Sequence, residues 1–117
     1  MNLLRFPLEC LEHLPSEEGA PPAERIISGA PRFRTWTFDE QYEGTLFAGV
    51  WEATAGKWRI EYDEWEFCSI LSGTSIVTPV GGGEVRLGQG DNFVLQPGFR
   101  GTWEVIETTR KLFVVRL

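Results

Sequence analysis

The chain has 117 residues, a formal net charge of −6, 42% hydrophobic and 24% charged residues. That length supports one core and one domain. The acidic balance argues against nucleic acid and anionic membrane surfaces as partners, because both need clustered Lys and Arg, and no apolar run approaches the roughly 20 residues that span a bilayer as a helix.

Residues 1–14 (MNLLRFPLECLEHL) carry an apolar set, Leu3, Leu4, Phe6, Leu8, Leu11 and Leu14, in an extended or weakly helical arm. Glu9 and Glu12 interrupt that pattern and there is no long apolar stretch, so a signal peptide is not expected. Exposed leucines in such number need cover. The arm is expected to lie along a barrel edge, its own or a partner's, which makes a homodimer the expected assembly. Cys10 and Cys68 are too few for a disulfide framework and read as reduced thiols of a cytoplasmic protein. Pro15–Pro22, with three prolines and a glycine, reads as a loop, and His13 beside it as solvated. The division expected is an arm and Pro-rich loop over 1–22 and a β-domain over 23–117.

Short strands are predicted at Ile26-Ile27, Phe33–Phe38, Thr45–Ala53, Lys57–Tyr62, Trp65–Leu71, Thr74–Val80, Glu84–Leu87, Asn92–Gln96, Gly101–Ile106 and Lys111–Arg116. Gly or Pro punctuates most of them. Gly81-Gly82-Gly83 reads as a hairpin turn rather than a phosphate loop, because a strand follows it where a phosphate loop would need a helix. Gly88–Asp91 reads as a second tight turn. No helical period appears after residue 15. The fold class is all-β, a single-domain antiparallel sandwich or barrel. Arg110-Lys111 reads as a solvated strand end.

The most informative stretch is Gly56–Gly73, GKWRIEYDEWEFCSILSG. Alternation puts Trp58, Ile60 and Tyr62 on one face of the first strand, and Glu66, Cys68 and Ile70 on one face of the second. A carboxylate sharing a face with Cys and Ile needs a partner if that face is buried. With that face inside, the lining includes Trp58, Tyr62, Glu66, Cys68 and Trp103, joined by Trp51 and Phe93. These seven are the candidate ligand-binding residues: an aromatic pocket with one carboxylate, for an unidentified small molecule. Glu66 is the candidate catalytic acid or base and Tyr62 a second proton donor. The competing reading makes Glu66 structural, hydrogen-bonded to Tyr62 or a tryptophan N–H, or paired with Arg59 or Arg100. At least three of the five tryptophans are expected to fill core volume. Cys68 has no nearby histidine to activate it and reads as a small hydrophobe.

Glu66 followed by Gly73, and Gly90-Asp91-Asn-Phe-Val-Leu-Gln-Pro-Gly98, resemble the two conserved cupin motifs. EFCSILSG, GQGDNFVLQPGFRGTWEV and TTRKLFVV in that order are similar to the small single-domain cupins of the ethanolamine-utilisation and (S)-ureidoglycine aminohydrolase type. The resemblance, over roughly residues 45–117, implies an RmlC-like jelly roll with a pocket at the barrel mouth, and commonly a dimer. It also implies a metal held by three histidines and Glu66. Here the chain departs. The histidine positions fall on Ile60 and Tyr62, or Arg59 and Glu61, and on Gly101, and the single histidine, His13, lies outside the resemblance. No metal and no cofactor are therefore expected, and the aminohydrolase chemistry does not transfer. Glu61 and Glu64, by parity or by their place in the corner, are not expected all to converge with Glu66 on one inner face.

Overall fold

A computed structural model describes residues 2–117. Nine antiparallel strands form one curled sheet: β1 (Glu17–Gly19), β2 (Ile26–Gly29), β3 (Phe33–Gln41), β4 (Leu46–Ala53), β5 (Gly56–Glu61), β6 (Trp65–Pro79), β7 (Val85–Leu87), β8 (Asn92–Leu95) and β9 (Arg100–Arg116). The long β9 closes the structure. It pairs with β5 along its first half, with β4 along its second, and with β6 throughout. A strand shared this way bends the sheet into a jelly-roll barrel whose interior takes alternate residues of every strand.

Two pairs of predicted strands are single strands. β6 runs through Ser72-Gly73, and β9 runs through Glu107–Thr109. The reason lies in their mutual pairing. Gly73 has φ +86°, and a Cβ there would stand 2.0 Å from the Thr108 carbonyl oxygen. Register shifts between Ile70 and Ser75 absorb the extra residues as bulges, so the glycine kinks the strand instead of ending it. Gly81–Gly83 does connect a hairpin, β6 to β7, with Gly81 at φ +76°. In the Gly88–Asp91 turn the Asp91 carboxylate accepts the Gly88 N–H at 2.8 Å.

The Pro-rich stretch contains a strand that sequence reasoning assigned to a loop. Glu17–Gly19 pairs with Phe33–Thr35 as an edge strand. Its Glu-Glu-Gly composition carries no strand preference; the open edge of β3 supplies the hydrogen bonds. The arm itself forms a 3₁₀ segment, Leu8–His13, which lies over the outer face of the sheet rather than pairing along an edge. Leu11 is buried against Trp36 and Val50, and its carbonyl accepts the Trp36 Nε1–H at 3.1 Å. Phe6 packs on Phe38. Glu12 bridges Arg34 and Arg110, whose guanidiniums lie 4.6 and 5.4 Å from the Trp36 ring centre and also pair with Glu52.

Inside the barrel the main core gathers Ala53, Trp58, Ile60, Ile70, Val77, Leu87, Leu95, Trp103 and Val105. Trp36, Trp58 and Trp103 are buried; Trp51 is half-buried and Trp65 exposed.

Candidate functional site

At one end the barrel opens into a cavity of about 270 Å³. Adjacent strands aim into it. β5 contributes Trp58 and Ile60, the corner after it Tyr62 and Glu64, β6 Glu66, and β9 Trp103, Lys111 and Phe113. Phe33 of β3 and Trp51 of β4 complete the aromatic wall, their rings 5.1 Å apart at the centroids. Trp103 is held from behind: its Nε1–H donates to Ser75 Oγ at 3.1 Å, and Ser75 shares a 2.7 Å hydrogen bond with Thr109.

The polar group at the base is an ion pair. Lys111 Nζ lies 3.1 Å from Glu66 Oε2, with the two residues 3% and 7% exposed. The same ammonium sits 4.6 Å from the ring centres of both Trp51 and Trp103. Burial alone would disfavour the charged amine, yet the Glu66 carboxylate beside it holds its pKa above the ordinary lysine value. Burial also raises the Tyr62 phenol, with Lys111 opposing and Glu66 reinforcing, so Tyr62 is a neutral hydroxyl. The Cys68 thiol is pushed up to about 12, chiefly by desolvation, and stays protonated. An un-ionised thiol is a poor nucleophile.

Of the seven candidate ligand-binding residues, Trp51, Trp58, Tyr62, Glu66 and Trp103 line the cavity. Cys68 and Phe93 do not. Cys68 is fully buried in the wall, and Phe93 packs on Trp103 with ring centres 6.0 Å apart. Glu66 pairs with neither Arg59 nor Arg100. Arg59 donates to the Glu24 carbonyl, and Arg100 lies near Glu61 and Asp63 at the rim. Lys111, expected to be solvated, is the residue sequence reasoning missed. Its signal was alternation: Lys111, Phe113 and Val115 share the inward parity of the last strand, opposite the outward Arg110, Leu112 and Val114. Glu64 stands in the corner on the parity of Glu66 and lines the same cavity, whereas Glu61 is exposed and pairs with Arg25, so the three carboxylates do not all converge.

The donor set does not fit a three-imidazole metal centre. The positions where the resemblance calls for histidines hold Ile60 and Tyr62, or Arg59 and Glu61, and Gly101, and Glu66 is already engaged by an ammonium. Among the described residues no group of three His, Cys, Asp or Glu is placed to hold a metal ion.

The model of the EutQ-like cupin domain matches residues 40–113. A Pseudomonas syringae pv. tomato protein of the DUF861 family, of unknown function, superposes with a TM-score of 0.78 at 22% identity, over 87% of this chain and 44% of its own. This chain thus spans less than half the length of that relative. A DUF861 protein from Thermotoga maritima is 33% identical over 55% of this chain and 73% of its own, with a TM-score of 0.53. The EutQ protein of Clostridium difficile is 17% identical, with a TM-score of 0.64 over 84% of this chain and 79% of its own. No curated protein matches the chain.

Proposed function

This chain belongs to the EutQ-like cupin domain family, and from that premise we propose that it binds a small molecule in the barrel cavity without a metal ion. The observation that carries this is the Glu66–Lys111 pair at the base of an aromatic cavity of about 270 Å³. That volume corresponds to roughly nine waters at ~30 Å³ each, enough for a small metabolite. Lys111 supplies at Glu66 the positive charge that the cupin resemblance would assign to a metal ion. The test is a metabolite library screened by thermal shift against the native protein and Val115→Trp, which fills the cavity. A ligand raises the melting temperature of the first and not of the second. A library without such a ligand sinks the reading.

A second reading is favoured by the convergence of Glu66, Tyr62 and Lys111: an enzyme with Glu66 as acid or base and Tyr62 as proton donor, acting on a small nitrogenous or sugar acid. Turnover retained in Glu66→Gln would exclude it. The homodimer and the cytoplasmic setting belong to the same proposal. The first is supported by Leu3 and Leu4, 74% and 54% exposed on the arm, and the second by two free cysteines.

A further inference from the structure

The charges that line the cavity do not cancel. Two carboxylates, Glu64 and Glu66, face one ammonium, Lys111. Lys111 is committed to Glu66, so one negative charge is left over, on Glu64. Glu64 is partly buried, its Oε1 accepts the Asp63 N–H at 2.9 Å, and no cation among the described residues pairs with it. The remaining lining is mostly aromatic: Phe33, Trp51, Trp58 and Trp103. Aromatic faces favour cations through the ring quadrupole, most strongly where water is displaced. Two of these indoles already do so within the chain, since Lys111 Nζ lies 4.6 Å from each.

Anions fit poorly in such a place. A carboxylate entering would meet two others and a single ammonium already neutralised. Of the arginines at the rim, Arg25 and Arg100 are paired with Glu61 and Asp63, and Arg59 is turned to the Glu24 carbonyl.

We propose that the cavity selects a small organic cation, a substituted ammonium with an apolar body, with Glu64 as its counter-ion and the walls of Phe33 and Trp58 as its seat. This rests on the reading that the cavity binds a small molecule. Glu64 is then the specificity-determining residue, and the Glu66–Lys111 pair is a neutral floor.

The test uses three probes of similar size, benzyltrimethylammonium, benzyl alcohol and benzoate, titrated against the intact protein by tryptophan fluorescence and calorimetry. Benzyltrimethylammonium is expected to bind roughly tenfold more tightly than benzyl alcohol, with benzoate weakest. Glu64→Gln, at the rim and outside the core, is expected to lose roughly that tenfold for the cation and to leave benzyl alcohol unchanged. Benzoate binding as tightly as the cation, or Glu64→Gln binding the cation unchanged, overturns the proposal while the small-molecule reading stands. Cation binding that survives in Val115→Trp overturns it too, because the probe then sits elsewhere. Failure of all three probes also overturns it, and the broader reading is then decided by the library screen alone.

Discussion

Lys111 Nζ and Glu66 Oε2 lie 3.1 Å apart inside the barrel, on neighbouring strands, although they are 45 positions apart in the chain. Each charge is tolerated there only because of the other. Removing one partner leaves an uncompensated buried charge, whereas removing both leaves only a polar or apolar gap. Lys111→Met and Glu66→Gln are each expected to destabilise the fold by about 3–5 kcal/mol, and the double variant by less than either single change. Chemical denaturation of the four proteins measures this. Additive losses would mean that the pair is not coupled.

The alkaline limb of stability follows from three groups of one sign. Cys68, Tyr62 and Lys111 all have folded pKa values above their ordinary ones, so the folded state holds these protons more tightly. Their contribution is complete below the unfolded values and is lost as pH rises through the folded ones. Cys68 begins first, from the ordinary thiol value of 9.0 toward about 12. Melting temperature under reductant is expected to fall from about pH 9 upward, and Cys68→Ala to delay the onset to the range of Tyr62 and Lys111, near pH 10. An onset unchanged by Cys68→Ala would refute this assignment.

The bulge at Gly73 and the turn at Gly81 separate two costs of positive φ. At Gly81, φ +76°, a Cβ would meet nothing within 4 Å, so Gly81→Ala is expected to cost only about 1–2 kcal/mol. At Gly73, φ +86°, the same atom would strike the backbone of Thr108 and Thr109, so the cost is expected to exceed about 3 kcal/mol. Equal losses in denaturant midpoints would argue against the bulge.

The arm is part of the folded unit. Leu11 is buried against Trp36 and Val50, and Leu11→Ala is expected to remove about 2–4 kcal/mol from the global unfolding free energy. A global value left unchanged would mean that the arm opens separately. Glu12 acts at the surface. Arg34 and Arg110 hold its carboxyl below the usual carboxylate range, so its anchoring is present above the unfolded value and lost as pH falls through the folded one. The protection of the Leu8–His13 amides, taken relative to their intrinsic exchange rates, is expected to fall at acid pH, and in Glu12→Gln at neutral pH as well.

The exposed leucines give the assembly prediction. Leu3→Ser with Leu4→Ser is expected to convert a dimer to a monomer by light scattering without changing the melting transition of the monomer fold. A wild-type monomer, or a dimer that survives both changes, would exclude the arm as its interface.

The inward face of the barrel was legible because alternation is a local property. Trp58 and Tyr62, and likewise Glu66 and Cys68, keep their relative faces wherever the strand lies. The all-β class followed from the same periodicity together with the Gly and Pro turns. What could not be read were relationships between strands far apart in sequence. Arg59 is close to Glu66 in the chain and Arg100 stands near the second motif, but strand order, not chain position, sets proximity in space. Arg110-Lys111 looks like a solvated pair until one knows which of the two faces inward.

The sequence alone determined the β class, the face on which Glu66 lies, and the loss of the histidines that a metal centre would need. Those are matters of residue identity and of a two-residue period. Only the tertiary structure decided that β6 and β9 are continuous, that Glu17–Gly19 is a strand, that the arm lies on the sheet's outer face, and that Lys111 pairs with Glu66 while Glu64 lines the same cavity without a cationic partner among the described residues. Each of these depends on which strand lies beside which, and a chain settles that through pairing and burial summed over the whole barrel.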